Sequence, residues 1–336
     1  MGPQCPHVRQ PLPTPSSCIP TLVVVVDTEE EFDWTAPFNP ANTSVQNIPL
    51  QTLAQRILDS HGVRPTYVID YPVASNEPAL AVLRTFALER RCEIGAHLHP
   101  WVNPPAEGPI DEIHSFPGNL PTKLERDKLR VLTESITRGF GTRPVVYKAG
   151  RYGLGQATPG ILQELGYTVD VSVVPHTDFS EYGGPDFRNA PPHPFLLAPG
   201  LCELPLSVHF TGLLAARGNS LSRLLSGGLG RKLKLEGAFS RVGLLTKLRL
   251  SPEGHSLAQL TEQTRIGIAS GTRLFMLTYH SSSLLPGGNP YVRSESERDA
   301  FVATLDGYLR FFRHEAGGRV ASVHDVAASL LSRTAA

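Results

Sequence analysis

Cysteine is scarce in this 336-residue chain: Cys5, Cys18, Cys92 and Cys202 make no C-x-x-C pair. That argues against a disulfide framework and a zinc–thiolate site, and it suits a reducing compartment. Charge of one sign is not in excess either, since 31 basic residues are balanced by 31 acidic ones. No nucleic-acid partner is therefore expected, because phosphate binding wants a basic surplus. Long apolar runs are lacking. Leu22 to Val26 falls far short of the roughly 20 residues that span a bilayer. The first 20 residues are rich in proline and lack the apolar core of a signal peptide, and Pro6 stands where a myristoylation motif after Gly2 wants Ser or Thr. The expectation is a flexible leader over 1–20, one domain over 21–336 and a cytoplasmic location. No P-loop or Rossmann glycine fingerprint appears, and no G-x-S-x-G elbow frames Ser281-Ser282-Ser283.

What is present is a 40% hydrophobic, 18% charged composition, enough for a sizeable core. Strand-like and helix-like patterns alternate, which predicts an α/β architecture with parallel strands. Strands are expected at Leu22–Val26, Thr66–Ile69, Glu93–His97, Val145–Ala149, Thr168–Val173, Glu203–Val208, Leu274–Tyr279 and Arg319–Val323. Amphipathic helices are expected at Leu50–Ser60 and Phe301–Phe312, where apolar residues recur at helical spacing.

Three of these strands run into polar chemistry: Val26-Asp27-Thr28-Glu29, Glu93-Ile94-Gly95-Ala96-His97-Leu98-His99 and Leu277-Thr278-Tyr279-His280. In a parallel barrel the C-terminal strand ends form one mouth, so distant segments can meet there. His97 and His99 are one residue apart, and on extended backbone both imidazoles face the same side. Asp27 and Glu29 share that spacing, while Glu30 and Glu31 are expected to point elsewhere. Carboxylates and neutral imidazoles gathered around one point are the donor set of a divalent metal that activates water.

These segments resemble the polysaccharide deacetylase family, the NodB-homology group of carbohydrate esterases. The apolar strand running into acids matches Val26-Asp27-Thr28-Glu29, and the Glu-Ile-Gly-x-His element matches Glu93 to His97. The arginine motif is similar to Ala149-Gly150-Arg151-Tyr152, and the closing Leu-x-x-His matches Leu277 to His280. Two departures stand out: Thr28 separates acids that are usually adjacent, and Trp101 occupies the place of the second histidine, four residues after His97. The resemblance implies a distorted (β/α) barrel of roughly seven or eight parallel strands and metal-dependent removal of an N- or O-acetyl group from a sugar or glycan precursor. It implies Asp27 as general base or as a ligand, Glu29 as a metal ligand or a support for the base, and His97 and His99 as ligands. Arg151 would orient the base and His280 would be the general acid, with zinc as the metal. A deacetylase-fold amidohydrolase acting on a small non-sugar amide, and an inactive glycan-binding barrel, are the competing readings.

Trp34, Trp101 and Tyr291 lie in loops after the motifs, where aromatic faces can stack on a sugar, and Tyr152 falls at the same mouth. Gly212–Leu250 is a basic segment carrying Arg217, Arg223, Arg231, Lys232, Lys234, Arg241, Lys247 and Arg249 against the single acid Glu236. It is read as a solvated helical insertion, with contact to an anionic substrate or a membrane surface as the other reading. Oligomeric state is left open by the sequence.

Overall fold

The computed structural model describes residues 10–12, 19–108, 110–225, 227 and 235–333, without the side chains of Gln10 and Asn219. Cys5, Cys18, Arg231, Lys232, Lys234 and most of the expected leader lie outside the described residues. Twelve strands are described in chain order: β1 (Gln10–Pro11), β2 (Thr21–Thr28), β3 (Thr66–Ile69), β4 (Glu93–Leu98), β5 (Val146–Ala149), β6 (Val169–Asp170), β7 (Phe195–Ala198), β8 (Leu201–Glu203), β9 (Val208–Thr211), β10 (Thr246–Arg249), β11 (Leu274–His280) and β12 (Arg319–Val320).

Parallel pairing runs β11-β2-β3-β4-β5-β6-β8, with β12 also parallel to β2; β7 and β1 follow β8 antiparallel at one edge. The eight parallel strands make a curled α/β sheet, as the sequence pattern predicted. Single hydrogen bonds bring its edges together. Leu206 N–H donates to Val173 O at 2.9 Å, Leu250 N–H to Ser207 O at 3.0 Å, and Thr278 N–H of β11 to Leu250 O at 3.0 Å. The result is a distorted barrel.

β2 is buried along its whole length, which is why it reads as an uninterrupted valine run. A strand covered on both faces has no solvent side to mark with polar residues. The outer face is covered by helices such as Glu295–His314, which buries Phe301, Leu305, Tyr308, Leu309 and Phe312. No helix among the described residues is long and apolar enough to cross a membrane.

Most strands end within one or two residues of expectation; three depart further. Glu203–Val208 is split between β8 and β9, because Pro205 brings no N–H to a ladder. The Thr168–Val173 strand narrows to Val169–Asp170, since the Ser172 and Val173 N–H groups are taken by the Asp170 and Glu203 side chains at 2.6 and 3.0 Å. β12 stops at Val320 because Ser322 caps the following helix through Asp325 N–H. The expected leader also holds structure: Gln10 pairs with Leu196, and Leu12 is buried with its N–H on Pro194 O.

The basic segment leaves the barrel through the antiparallel β9–β10 hairpin, whose register sets Arg249 opposite Val208. Helices Gly218–Leu225 and Leu235–Arg241 cover a small apolar cluster of Phe210, Leu225 and Leu245.

Candidate active site

A cleft of about 310 Å³ opens at the C-terminal strand ends, within the range typical of small-molecule sites. Asp27, Glu29, His97, His99, Arg151 and His280 all line it, together with Trp34, Trp101, Tyr152 and Tyr291. The strand order explains this gathering. His280 is the register neighbour of Asp27, and His97 is the neighbour of Lys148.

Glu29, His97 and His99 converge. Glu29 Oε2 lies 3.4 Å from Nε2 of each histidine, and all three residues are buried. His97 Nδ1 faces the Lys148 carbonyl at 3.0 Å, and His99 Nδ1 faces Glu30 Oε2 at 2.8 Å. Each Nδ1–H is thereby used as a donor, and each Nε2 lone pair is left facing Glu29. Glu29 Oε1 is buried without a hydrogen-bond partner among the described residues. Burial holds His99 below the ordinary imidazole value despite the nearby carboxylates, so it stays neutral. Two imidazoles and a carboxylate with a spare oxygen fit a divalent metal with further positions left for water.

A supporting layer lies behind. Trp101 stacks on His99 with centroids 4.3 Å apart and donates Nε1–H to Glu30 Oε1 at 2.7 Å. Glu30 N–H donates to Asp70 Oδ2 at 2.7 Å. Burial, aided by Glu29, pushes Glu30 up to about 7; burial and Glu30 push Asp70 well above the carboxylate range. Gly150 completes the packing, since a Cβ there would collide with the Leu98 carbonyl and the His99 ring.

Beside the donors stands a pair of opposite protonation. Lys148 Nζ donates to both Asp27 oxygens at 2.6 Å. Burial alone would raise Asp27, but Lys148, His97 and His280 outweigh it and lower the carboxyl to about 2. His280 Nε2 lies 3.6 Å from Asp27 Oδ2, and its Nδ1 lies 2.9 Å from Glu253 Oε2. Burial disfavours the imidazolium, yet Glu253, Glu29 and Asp27 push His280 up to about 10. A carboxylate kept ionised next to an imidazole kept protonated is the division of labour of an acid–base couple.

Two expectations are corrected. Arg151 makes no hydrogen bond or ion pair with Asp27. It follows β5 in a left-handed backbone conformation (φ 53°), which turns its guanidinium onto Ser115, the Glu112 carbonyl at 3.2 Å and the Phe116 ring at 4.2 Å. The cation that meets Asp27 is Lys148, on β5 itself. Trp101 is 4% exposed and lies between His99 and Phe38, so its faces are occupied by protein. Trp34 packs edge-on against His280 at 4.8 Å and Tyr291 at 5.7 Å, and Tyr152 stacks on Phe179 at 5.4 Å. Sequence reasoning passed over Lys148, Glu253 and Glu30. A lysine inside a short apolar strand was the available signal for Lys148; Glu253, in a Pro-Glu-Gly loop, carried none.

No family model and no curated sequence matches the chain. Among solved structures, a Mycobacterium smegmatis protein ascribed to the polysaccharide deacetylases superposes over 98% of this chain and 96% of its own, at TM-score 0.56 and 16% identity. A family 4 acetyl xylan esterase from Clostridium thermocellum, solved with a cobalt ion, covers 92% of this chain and 91% of its own, at TM-score 0.44 and 11% identity. A CE4 family pseudoenzyme from Bacillus anthracis covers 92% of this chain and 66% of its own, at TM-score 0.46 and 9% identity. The first of these likenesses establishes a shared fold; the chemistry rests on the residues of the cleft.

Proposed function

Proceeding from a deacetylase-like barrel with a buried carboxylate–imidazole donor set at its mouth, we propose that this protein is a metal-dependent hydrolase that removes an N- or O-acetyl group from a sugar or glycan precursor. The observation that carries the reading is the convergence of Glu29, His97 and His99 directly beside the Asp27–His280 couple. The three donors would hold the ion, zinc in our reading, and a bound zinc supplies Lewis acidity toward water and the acyl oxygen. Asp27 accepts the proton of the attacking water. Lys148 orients both of its oxygens and keeps it ionised. His280 holds a proton on Nε2 for the leaving amine or hydroxyl, and Glu253 fixes its ring through Nδ1. Trp34, Tyr152 and Tyr291 line the rest of the cleft and offer aromatic surface to a sugar ring.

A panel of N- and O-acetylated sugars, run beside small non-sugar amides, tests this through release of acetate with and without a chelator. Chelator-sensitive release from one of the sugars is expected. Release of product from the amides alone would move the reading to an amidohydrolase on the same barrel.

A further inference from the structure

Four cationic side chains line the cleft, and three have a carboxylate at hand. Lys148 lies 2.6 Å from Asp27, His280 2.9 Å from Glu253, and Arg151 3.5 Å from Glu112. Arg249 differs. Among the described residues no carboxylate lies within 4.0 Å of its guanidinium, and its one hydrogen bond runs from Nη1 to the Tyr152 hydroxyl at 2.6 Å. A guanidinium carries five N–H donors in a rigid fork suited to anionic oxygens. The Tyr152 hydroxyl and, from further away, Tyr291, Glu253 and Asp27 hold the guanidinium above the ordinary arginine value, yet only one of its donors is taken by a hydrogen bond among the described residues.

Its position is fixed by the fold. Arg249 ends β10, and the next residue, Leu250, accepts the hydrogen bond from Thr278, two residues before His280. The backbone beside Arg249 is thereby tied to β11, the strand that carries the proposed acid. It also stands at a junction. Arg249, Tyr152, Tyr291 and His280 border both the main cleft and a side pocket of about 250 Å³, walled further by Ser251, Glu253 and His255. Glu253 would oppose an anion there if its charge were free. It is not: its oxygens accept from His280 N–H at 2.8 Å, His280 Nδ1 at 2.9 Å, Ser283 Oγ at 2.5 Å and Ser251 Oγ at 3.3 Å. With Glu253 paired to His280, Arg249 brings a cationic fork with uncommitted N–H donors to the pocket.

We infer that Arg249 anchors an anionic substituent, a carboxylate or a phosphate, carried by the acetylated sugar, and that the side pocket receives it. The inference rests on the hydrolase reading of the cleft and narrows its substrate to an acidic sugar.

The test is calorimetric binding of three probes matched at one position: N-acetylglucosamine, N-acetylglucosaminuronic acid and N-acetylglucosamine 6-phosphate. The full chain is compared with Arg249→Gln, Arg249→Lys and Tyr152→Phe, each checked for an unchanged circular dichroism spectrum. The wild type is expected to bind at least one anionic probe about tenfold more tightly than the neutral one, as a charge-assisted contact implies. Which of the two it is tells carboxylate from phosphate. Arg249→Gln should collapse that ratio to near unity, Arg249→Lys should keep part of it, and Tyr152→Phe should keep most. Equal binding of all three probes by the wild type overturns the inference, as does an Arg249→Gln loss shared equally by neutral and charged probes. Acetate release separates this result from the fate of the hydrolase reading. An Arg249-dependent preference without acetate release keeps the anion site and sinks the hydrolase. Equal release from all three probes, unaffected in ratio by Arg249→Gln, does the reverse.

Discussion

Replacing Lys148 with methionine tests the electrostatic arrangement of the cleft most sharply. Lys148 is fully buried and Asp27 is 3% exposed, so solvent screens little of their attraction. The drop of Asp27 from 3.8 to about 2 is worth about 2 kcal/mol in favour of the ionised form, after burial has been overcome. Because the folded value lies below the unfolded one, this stability is present above about pH 4 and is lost as pH falls toward 2. Methionine fills the space of the lysine stem but leaves a buried carboxylate without its partner. Removing one member of a buried pair costs about 3–5 kcal/mol. Burial then pushes Asp27 upward, so the variant should regain stability as pH falls from 7 toward 4, where the wild type gains nothing from this group. The assay is urea unfolding of metal-stripped protein at several pH values, for Lys148→Met, Asp27→Asn and the double variant. The double variant should be clearly more stable than Lys148→Met alone. A Lys148→Met protein within about 0.5 kcal/mol of wild type at pH 7 would refute the reasoning, as would a double variant in which the two costs simply add.

Three further outcomes follow from the same geometry. His280→Ala should lower kcat by about 10²–10⁴-fold with a smaller change in KM, because a proton donor acts in the transition state; a pure KM effect would make it a binding residue. Glu30→Gln should weaken zinc affinity about 10–100-fold, measured by competition with a chelating dye, since it removes the carboxylate that holds His99 Nδ1; unaltered affinity would contradict that role. Glu125, buried and pushed by burial up to about 7, makes the fold less stable as pH rises from 4.5 to 7, by about 3 kcal/mol at most. Glu125→Gln should abolish that slope and be the more stable protein above pH 7, which urea midpoints across pH 4.5–8 would read; parallel curves would contradict it.

The barrel was legible because parallel strands buried on both faces leave a strong mark, as in the Leu22–Val26 run and in Phe275 to Leu277 before His280. The metal-ligand candidates were legible for a related reason. Glu29, His97 and His99 sit where such strands change abruptly to polar residues. Lys148 was not, because its meaning depends on β5 facing β2 across a curled sheet with β4 and β3 between them, a fact of topology that spacing does not carry. Glu253 was invisible for a stronger reason, since it follows the β9–β10 excursion and its approach to His280 depends on hydrogen bonds between the sheet edges. Arg249 was legible only as one of the basic residues of 212–250, and its place in the cleft comes from the same closure. Arg151 shows the converse error: a motif placed it correctly in the cleft, while the left-handed turn after β5 decided where its guanidinium went. The packing of Trp101 was not legible because the Glu30 carboxylate that fixes it lies 71 positions away in sequence.

All the chemistry proposed for the cleft depends on a metal held by Glu29, His97 and His99. Elemental analysis of the purified wild type beside the His97→Ala/His99→Ala variant tests it most directly. About one zinc per chain in the wild type, lost in a variant that still folds, is the predicted result. A wild type that takes up no metal after incubation with zinc, cobalt or manganese, or a double variant that keeps full occupancy, would contradict it.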